Sequence, residues 1–385
     1  MPLANKARGT NNILSNRKVV DMRDAIAYLE PLEYPLTTLL KRLKGRKRTT
    51  HSYKFEWLEK DPMGRWAKFS GTTETSPGTT VEVATGEGSL FQAGDLVKNT
   101  ATDEIVRVTG IDGDTLTVAR GYGETNAANI TADDKLLVVG NASMQGAGSP
   151  SEKYKNASPV HNYTQIFRTA FSTTETLNKM KLYGGDELSN LRKEKAVEHA
   201  RDMEFSFWFG ERKLDTSGAQ PLTTTAGVYT FLKDLGAPFV NSLSGSSMTE
   251  AQFDEWVGNI FRYGSKEKAL FCGQALIDII QTFAKNKLQL IQKDKDKTYG
   301  LNITRYLTAH GTLDIMRHYL FEEGYANLNV ALDMKNLRYV SLEGRDTKLL
   351  PNRQRNDEDG QKEEYLTEAG IELLSPKTHG VLLLT

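Results

Sequence analysis

At 385 residues the chain is longer than one core usually supports, so two or three compact units are expected. Its 49 basic and 49 acidic residues give a formal net charge of +0, which excludes a protein that grips nucleic acid mainly through a basic surface; 38% hydrophobic and 25% charged content excludes wholesale disorder. One cysteine, Cys272, excludes a disulfide framework or a cysteine metal cluster within the chain, and no apolar run reaches bilayer-spanning length.

Residues 1–30 open small and polar (Gly9, Thr10, Asn11, Asn12) and turn helical around Met22, Ile26 and Leu29, with too few apolar residues for a core of their own. This reads as an arm. Met1 to Lys6 lack the apolar stretch of a secretory signal, so folding in a cytoplasm is expected. Pro31 and Pro35 interrupt any helix, after which Leu36, Leu39, Leu40 and Leu43 resume an amphipathic spacing. The basic run Lys41, Arg42, Lys44, Arg46, Lys47 and Arg48 ends that helix, where cations favour the C-terminal dipole and can meet acidic groups of a neighbour or DNA phosphates.

Over Thr49–Leu58 the period changes: Tyr53, Phe55 and Trp57 alternate with Ser52, Lys54 and Glu56, the two-residue repeat of a strand. A second strand from Asn162 puts Tyr163, Gln165, Phe167, Thr169 and Phe171 on one side, and the two are expected to pair as the stem of a long excursion. Between them, residues 76–143 read as a small barrel or sandwich, with a tight hairpin at Asp112-Gly113 and a glycine-rich exit at Gly146–Pro150.

Asp186 is a plausible N-cap for a helix of about seven turns ending at Gly210, with Leu188, Leu191, Ala196, Ala200, Met203 and Phe207 along one stripe. A second α/β unit follows. Thr249 and Gln252 have capping-box spacing before the face Phe253, Trp256, Val257, Ile260 and Phe261, Lys268–Cys272 reads as a buried strand, and Ala275–Lys285 as a helix. Lys293–Lys297 reads as an exposed turn, and Thr312–Leu320, Asn329–Leu332 and Leu337–Val340 as strands. The tail from Glu363 returns to alternation and ends apolar.

The search for chemistry returns absences. No phosphate-binding loop, zincin histidine pair or nucleophile elbow occurs, so no catalytic residue, metal ligand or cofactor is expected. The six histidines are scattered and read as surface or hydrogen-bonded, Gly121-Tyr122-Gly123 lacks the third glycine of a dinucleotide fingerprint, and Glu322-Glu323 and Asp357-Glu358-Asp359 read as solvated loop. Assembly is the stronger signal. A lone two-stranded ribbon is marginal in water, and its aromatics need cover; if it projects, the cover is another subunit. The expected subunit-contact residues are therefore Tyr53, Phe55, Trp57, Phe167, Phe171, Arg46, Lys47 and Arg48. Two projecting elements suggest a repeating heterologous contact that closes into rings or shells.

The block Asn162–Phe167, Ser172–Thr174, Tyr183–Glu187, Arg201–Glu204 and Gly210, with Tyr365–Glu368 and Pro376–Gly380, resembles tailed-bacteriophage major capsid proteins from about residue 20 onward. The resemblance implies an α+β chain of the Hong Kong 97 type: N-terminal arm and helix 1–48, E-loop arms 49–75 and 144–175, an all-β domain inserted at 76–143, a P-domain with a long spine helix at 176–234, an A-domain at 235–340, and a return to the P-domain over 341–385. It implies a structural, non-enzymatic homo-oligomer, built as hexamers and pentamers into the icosahedral or prolate head shell of a virion around double-stranded DNA. Portal protein, a separate scaffolding protein, a decoration protein and non-specific contact with the packaged DNA are the implied partners, with no membrane. The segment Thr224–Val228 lacks the arginine that similar proteins carry before the glycine, and no motif names a lysine–asparagine cross-link pair, so non-covalent assembly is expected. The alternatives are an encapsulin-like nanocompartment shell and a carbohydrate- or surface-binding module using the β insertion.

Overall fold

The computed structural model describes residues 35–384 apart from 44, 77, 147, 150, 151, 184, 235–239, 244–247, 288–303 and 323. The expected arm at residues 1–30 and the turn at Lys293–Lys297 lie outside the described residues. Two compact units divide the chain: Met1–Trp57 with Val160–Thr385, and Leu58–Pro159.

The first helix, α1 (Pro35–Arg42), buries Leu36, Leu39 and Leu40, as its spacing predicts. It stops at Arg42, and Lys47-Arg48 already belong to strand β1 (Lys47–Thr50), so the basic run is not one helix terminus. Strand β2 (Lys54–Glu59) alternates as expected, with Phe55 and Trp57 inward.

The second unit holds β3 (Trp66–Lys68), β4 (Thr73–Glu74), β5 (Thr80–Glu82), β6 (Asp95–Asn99), β7 (Ile105–Asp112), β8 (Thr115–Ala119), β9 (Ile130–Thr131) and β10 (Lys135–Asn141). Six of them form a sheet in the order β3-β10-β6-β7-β8-β5. Its two edges meet: Phe69 bridges Val83, flanked by Ser70 N–H to Glu82 O at 3.0 Å and Ala84 N–H to Lys68 O at 2.9 Å. The sheet thus closes as a barrel, which leaves no free strand edge, around a core that includes Phe69, Phe91, Val97, Val108, Leu116 and Ile130. The β7–β8 hairpin turns at Gly113, whose φ of +59° suits a residue without Cβ. The unit is wider than residues 76–143, because β3 and β4 belong to it. Nor is Gly146–Pro150 its exit: beyond it the Lys153 ammonium binds Leu90 O at 3.0 Å and Asp95 Oδ2 at 2.5 Å, returning the chain to the barrel wall.

The strand expected from Asn162 is two strands, β11 (Ser158–Tyr163) and β12 (Gln165–Thr174), broken at Thr164. Only β11 pairs with β2. There follow α2 (Glu175–Lys179), α3 (Glu187–Phe209), the hairpin β13 (Lys213–Asp215) and β14 (Leu222–Thr224), α4 (Val228–Asp234), β15 (Val240–Leu243), α5 (Glu250–Ile260), β16 (Glu267–Cys272), α6 (Gln274–Lys287), β17 (Thr304–Leu307), β18 (Thr312–Arg317), β19 (Leu328–Leu332), β20 (Leu337–Leu342), β21 (Lys348–Leu350), β22 (Gly360–Leu373) and β23 (Gly380–Leu384). The caps sit where the sequence puts them. Asp186 accepts from Ser189 N at 2.9 Å, Gly210 follows the last turn of α3, and Thr249 and Gln252 form a reciprocal capping box on α5.

A first sheet runs β1-β20-β22-β12, with β21 also on β22. The long helix α3 lies on one face of it, Phe207 meeting Phe167 and Tyr339 edge-on at 6.0 and 5.9 Å. A second sheet, β15-β23-β19-β16-β18-β17, shares a core with α5 and α6. Two expected boundaries move. Strand β20 begins inside the expected 235–340 domain yet joins the first sheet, and β23, inside the expected 341–385 return to that sheet, lies in the second. Val381 to Leu384 are an unbroken apolar run, which suits a strand covered on both faces between β15 and β19.

Candidate assembly surfaces

Four of the five expected contact aromatics are covered by their own chain. Phe55 and Trp57 stack at 6.2 Å, and Trp57 meets Phe231 of α4 at 5.9 Å. Phe167 packs on Phe207, and Phe171 lies 6.0 Å from Tyr365 of β22. All four side chains are buried, so the premise that they lack a covering surface fails: strand alternation shows a greasy face but not what already sits on it. Tyr53 differs. It is 50% exposed, stacks on Tyr163 at 6.3 Å, and its carbonyl accepts from Thr164 N at 2.8 Å.

The basic residues are likewise engaged within the chain. Arg46 donates to Lys335 O at 2.9 Å, Lys47 pairs with Asp346, and Arg48 reaches Glu372 at 2.6 Å. Asp346 also accepts from the Tyr339 hydroxyl at 2.7 Å; burial opposes its ionisation, but Lys47 and Tyr339 outweigh burial and bring its pKa down to about 2. Arg48 is one of five arginines paired with three glutamates spaced four residues apart along β22. Glu364 pairs with Arg168 and Arg353, Glu368 with Arg345, and Glu372 with Arg48 and Arg338. The carboxylates are buried and the arginines half-exposed, so guanidinium is what this sheet face shows to solvent.

A surface that sequence reasoning missed lies at the root of the β2–β11 ribbon. His161 meets Tyr163 edge-on at 5.5 Å, Arg212 donates to His161 O at 2.7 Å, and Thr223 binds Thr164 O at 2.6 Å beside the exposed Leu222. Tyr53, Tyr163 and His161 thus gather at the ribbon root. Tyr53 was among the expected contact residues, whereas strand counting put Tyr163 with Phe167; the break at Thr164 separates them. Beneath, Asn162 fixes the ribbon through Thr225 Oγ1 at 3.0 Å, Ile371 O at 2.8 Å and Ala226 N at 2.9 Å. Gly227 follows, where a Cβ would come within 2.5 Å of the Trp208 backbone, so this loop needs its glycine for close approach even without the arginine.

No arrangement among the described residues points to chemistry. No group of histidine, cysteine or acidic side chains there is placed to hold a metal. The Cys272 thiol is buried and pushed up to about 12 by that burial. Lys268, brought down to about 8 by burial, gives its ammonium to Tyr263 O at 2.9 Å and to Thr378 O.

The family model of the SU10 major capsid protein matches residues 5–385. The chain belongs to that family. It is a phage major capsid protein, and its role is structural. It is similar to the major capsid protein of Pseudomonas phage PaMx41, 26% identical over 290 residues covering 72% of this chain and 68% of the relative. Among solved structures it resembles a chain of Mycobacterium phage Cain, at TM-score 0.49 and 7% identity over 99% of this chain and 98% of that one. It also resembles the capsid of Myoviridae phage XM1, at TM-score 0.45 and 10% identity over 97% and 99%. Those scores decide nothing by themselves. The SU10-family chain does have the order of parts expected from the sequence: a strand pair carrying a β insertion, a long helix on a first sheet, and a second α/β sheet.

Proposed function

We propose that this capsid protein assembles as hexamers and pentamers of itself into a closed head shell around double-stranded DNA, in the Hong Kong 97 manner. The β2–β11 ribbon with its barrel is then the E-loop and its insertion, the first sheet with α3 the P-domain, and the second sheet with α5 and α6 the A-domain. Scaffolding and portal proteins, a decoration protein on the barrel and non-specific contact with packaged DNA complete the proposal, with assembly in the host cytoplasm.

The observation that carries it is the ribbon root. Tyr53 is 50% exposed and stacked on Tyr163, at the root of a ribbon tied down by Asn162. Apolar side chains held in place and left in water are what a neighbouring subunit would cover. The encapsulin-like alternative is less supported, because the family match is to a phage capsid protein.

Expression of the chain alone and with neighbouring head genes, followed by negative-stain electron microscopy, tests this reading. Closed shells, or sheets and tubes of hexamers, are expected; a uniform monomer or dimer under both conditions would contradict it.

A further inference from the structure

Among the described residues no neighbouring side chain caps the start of helix α1. The residues before Pro35 are Glu33 and Tyr34, so no Ser, Thr, Asp or Asn precedes the first turn, and eight residues are too few to hold a helix in water. Its cap comes from the distant helix α3: the Leu36 and Thr37 amides donate to the two oxygens of Glu204, at 3.0 and 2.9 Å. The same carboxylate accepts from His318 Nε2 at 2.9 Å and from Trp208 Nε1 at 3.3 Å, and both Glu204 and His318 are fully buried. His318 is in turn stacked on Phe321 at 4.2 Å and edged by Trp208 at 5.2 Å. One carboxylate therefore joins α1, α3 and the residue that follows β18.

A buried carboxylate is costly unless its oxygens are filled. Here burial works against ionisation, but the bonds from His318 and Thr37 outweigh it, so the group stays charged at neutral pH. Two of its donors are amides in the first turn of a helix, the position where a negative charge also favours the helix dipole.

We infer that Glu204 is the positioning residue that makes α1 conditional on α3: the first turn forms where this carboxylate holds it, and neutralising the carboxylate frees α1 while both sheets stay folded. Resting on the proposed shell, this gives the subunit a point at which α1 is fixed or let go.

Hydrogen–deuterium exchange on the unassembled full chain, wild type against Glu204→Gln, tests it. Exchange over residues 36–42 is expected to rise about tenfold or more, with β19 and β22 unchanged. Unchanged exchange over 36–42, or an equal rise in the two strands, would overturn it. If the glutamine variant does not fold, Glu204→Asp keeps the charge but withdraws it by one methylene from the Leu36 and Thr37 amides; the same local rise is expected over 36–42, and its absence overturns the inference. Shell formation by the wild type is scored separately, so failure of the assembly reading and failure of this inference give different results.

Discussion

The buried polar residues carry most of what is distinctive here. His199 lies between the Thr169 and Thr367 hydroxyls at 2.9 and 2.7 Å, and His379 accepts from Asp333 N at 3.1 Å while its other nitrogen donates to Leu374 O at 3.2 Å. Burial, helped at His199 by Lys41, brings both imidazoles down from 6.5 to about 4. A lowered histidine pKa means the unfolded chain takes up the proton first, so the stability is fully present above pH 6.5 and is lost as pH falls toward 4. Thermal melts should therefore show stability falling between pH 6.5 and 5, by roughly 1–2 kcal/mol per histidine, in a window above the titration of ordinary carboxylates. A His199→Asn, His379→Asn variant should start lower and lose less across that window; an unchanged slope would contradict the assignment. From the sequence each histidine reads only as surface or hydrogen-bonded, because partners from elsewhere in the fold, such as Thr367 for His199 and Asp333 for His379, are what hold the ring inside.

For the elements, local chemistry was legible and pairing was not. Caps at Asp186 and Thr249, the Gly113 hairpin and the inward faces of β2 and β12 all follow from neighbours within a few residues. Which strand β12 joins does not, since alternation specifies a face and leaves the partner open. The same gap hid the width of the barrel, whose first strand pairs with its last. The barrel's own keystone is Glu104, which accepts from Arg120 Nε and Nη2, both at 2.8 Å, from Gly121 N at 2.9 Å and from Ala128 N at 3.1 Å, with both side chains buried. Arg120→Ala should cost about 3–5 kcal/mol, because it strands a buried carboxylate. Exchange mass spectrometry should locate that loss in residues 66–141 alone; a loss spread over the first sheet would mean the barrel is not an independent unit.

At the scale of the whole molecule, the near-neutral charge and the covered aromatics lead to one picture. Phe55, Trp57, Phe167 and Phe171 are core, so of the expected aromatics Tyr53, stacked on Tyr163, is the one left exposed for a neighbour. Tyr53→Asp should leave the subunit's melting temperature nearly unchanged and abolish assembly, whereas Trp57→Ala should destabilise the subunit by about 3–5 kcal/mol through the cavity it leaves. If Tyr53→Asp assembles normally, the ribbon root is not a contact. The family was legible in the block from Asn162 to Gly210 because that stretch holds the ribbon, the sheet edge and the long helix together, whereas the proposed contact at Tyr53 was obscured by aromatics that serve the core. The most direct measurement is a single-particle reconstruction of the assembled wild-type protein. The account predicts rings of six and five subunits in which Tyr53 is buried against the adjacent subunit; particles in which that side chain faces solvent while other surfaces make the contacts would contradict it.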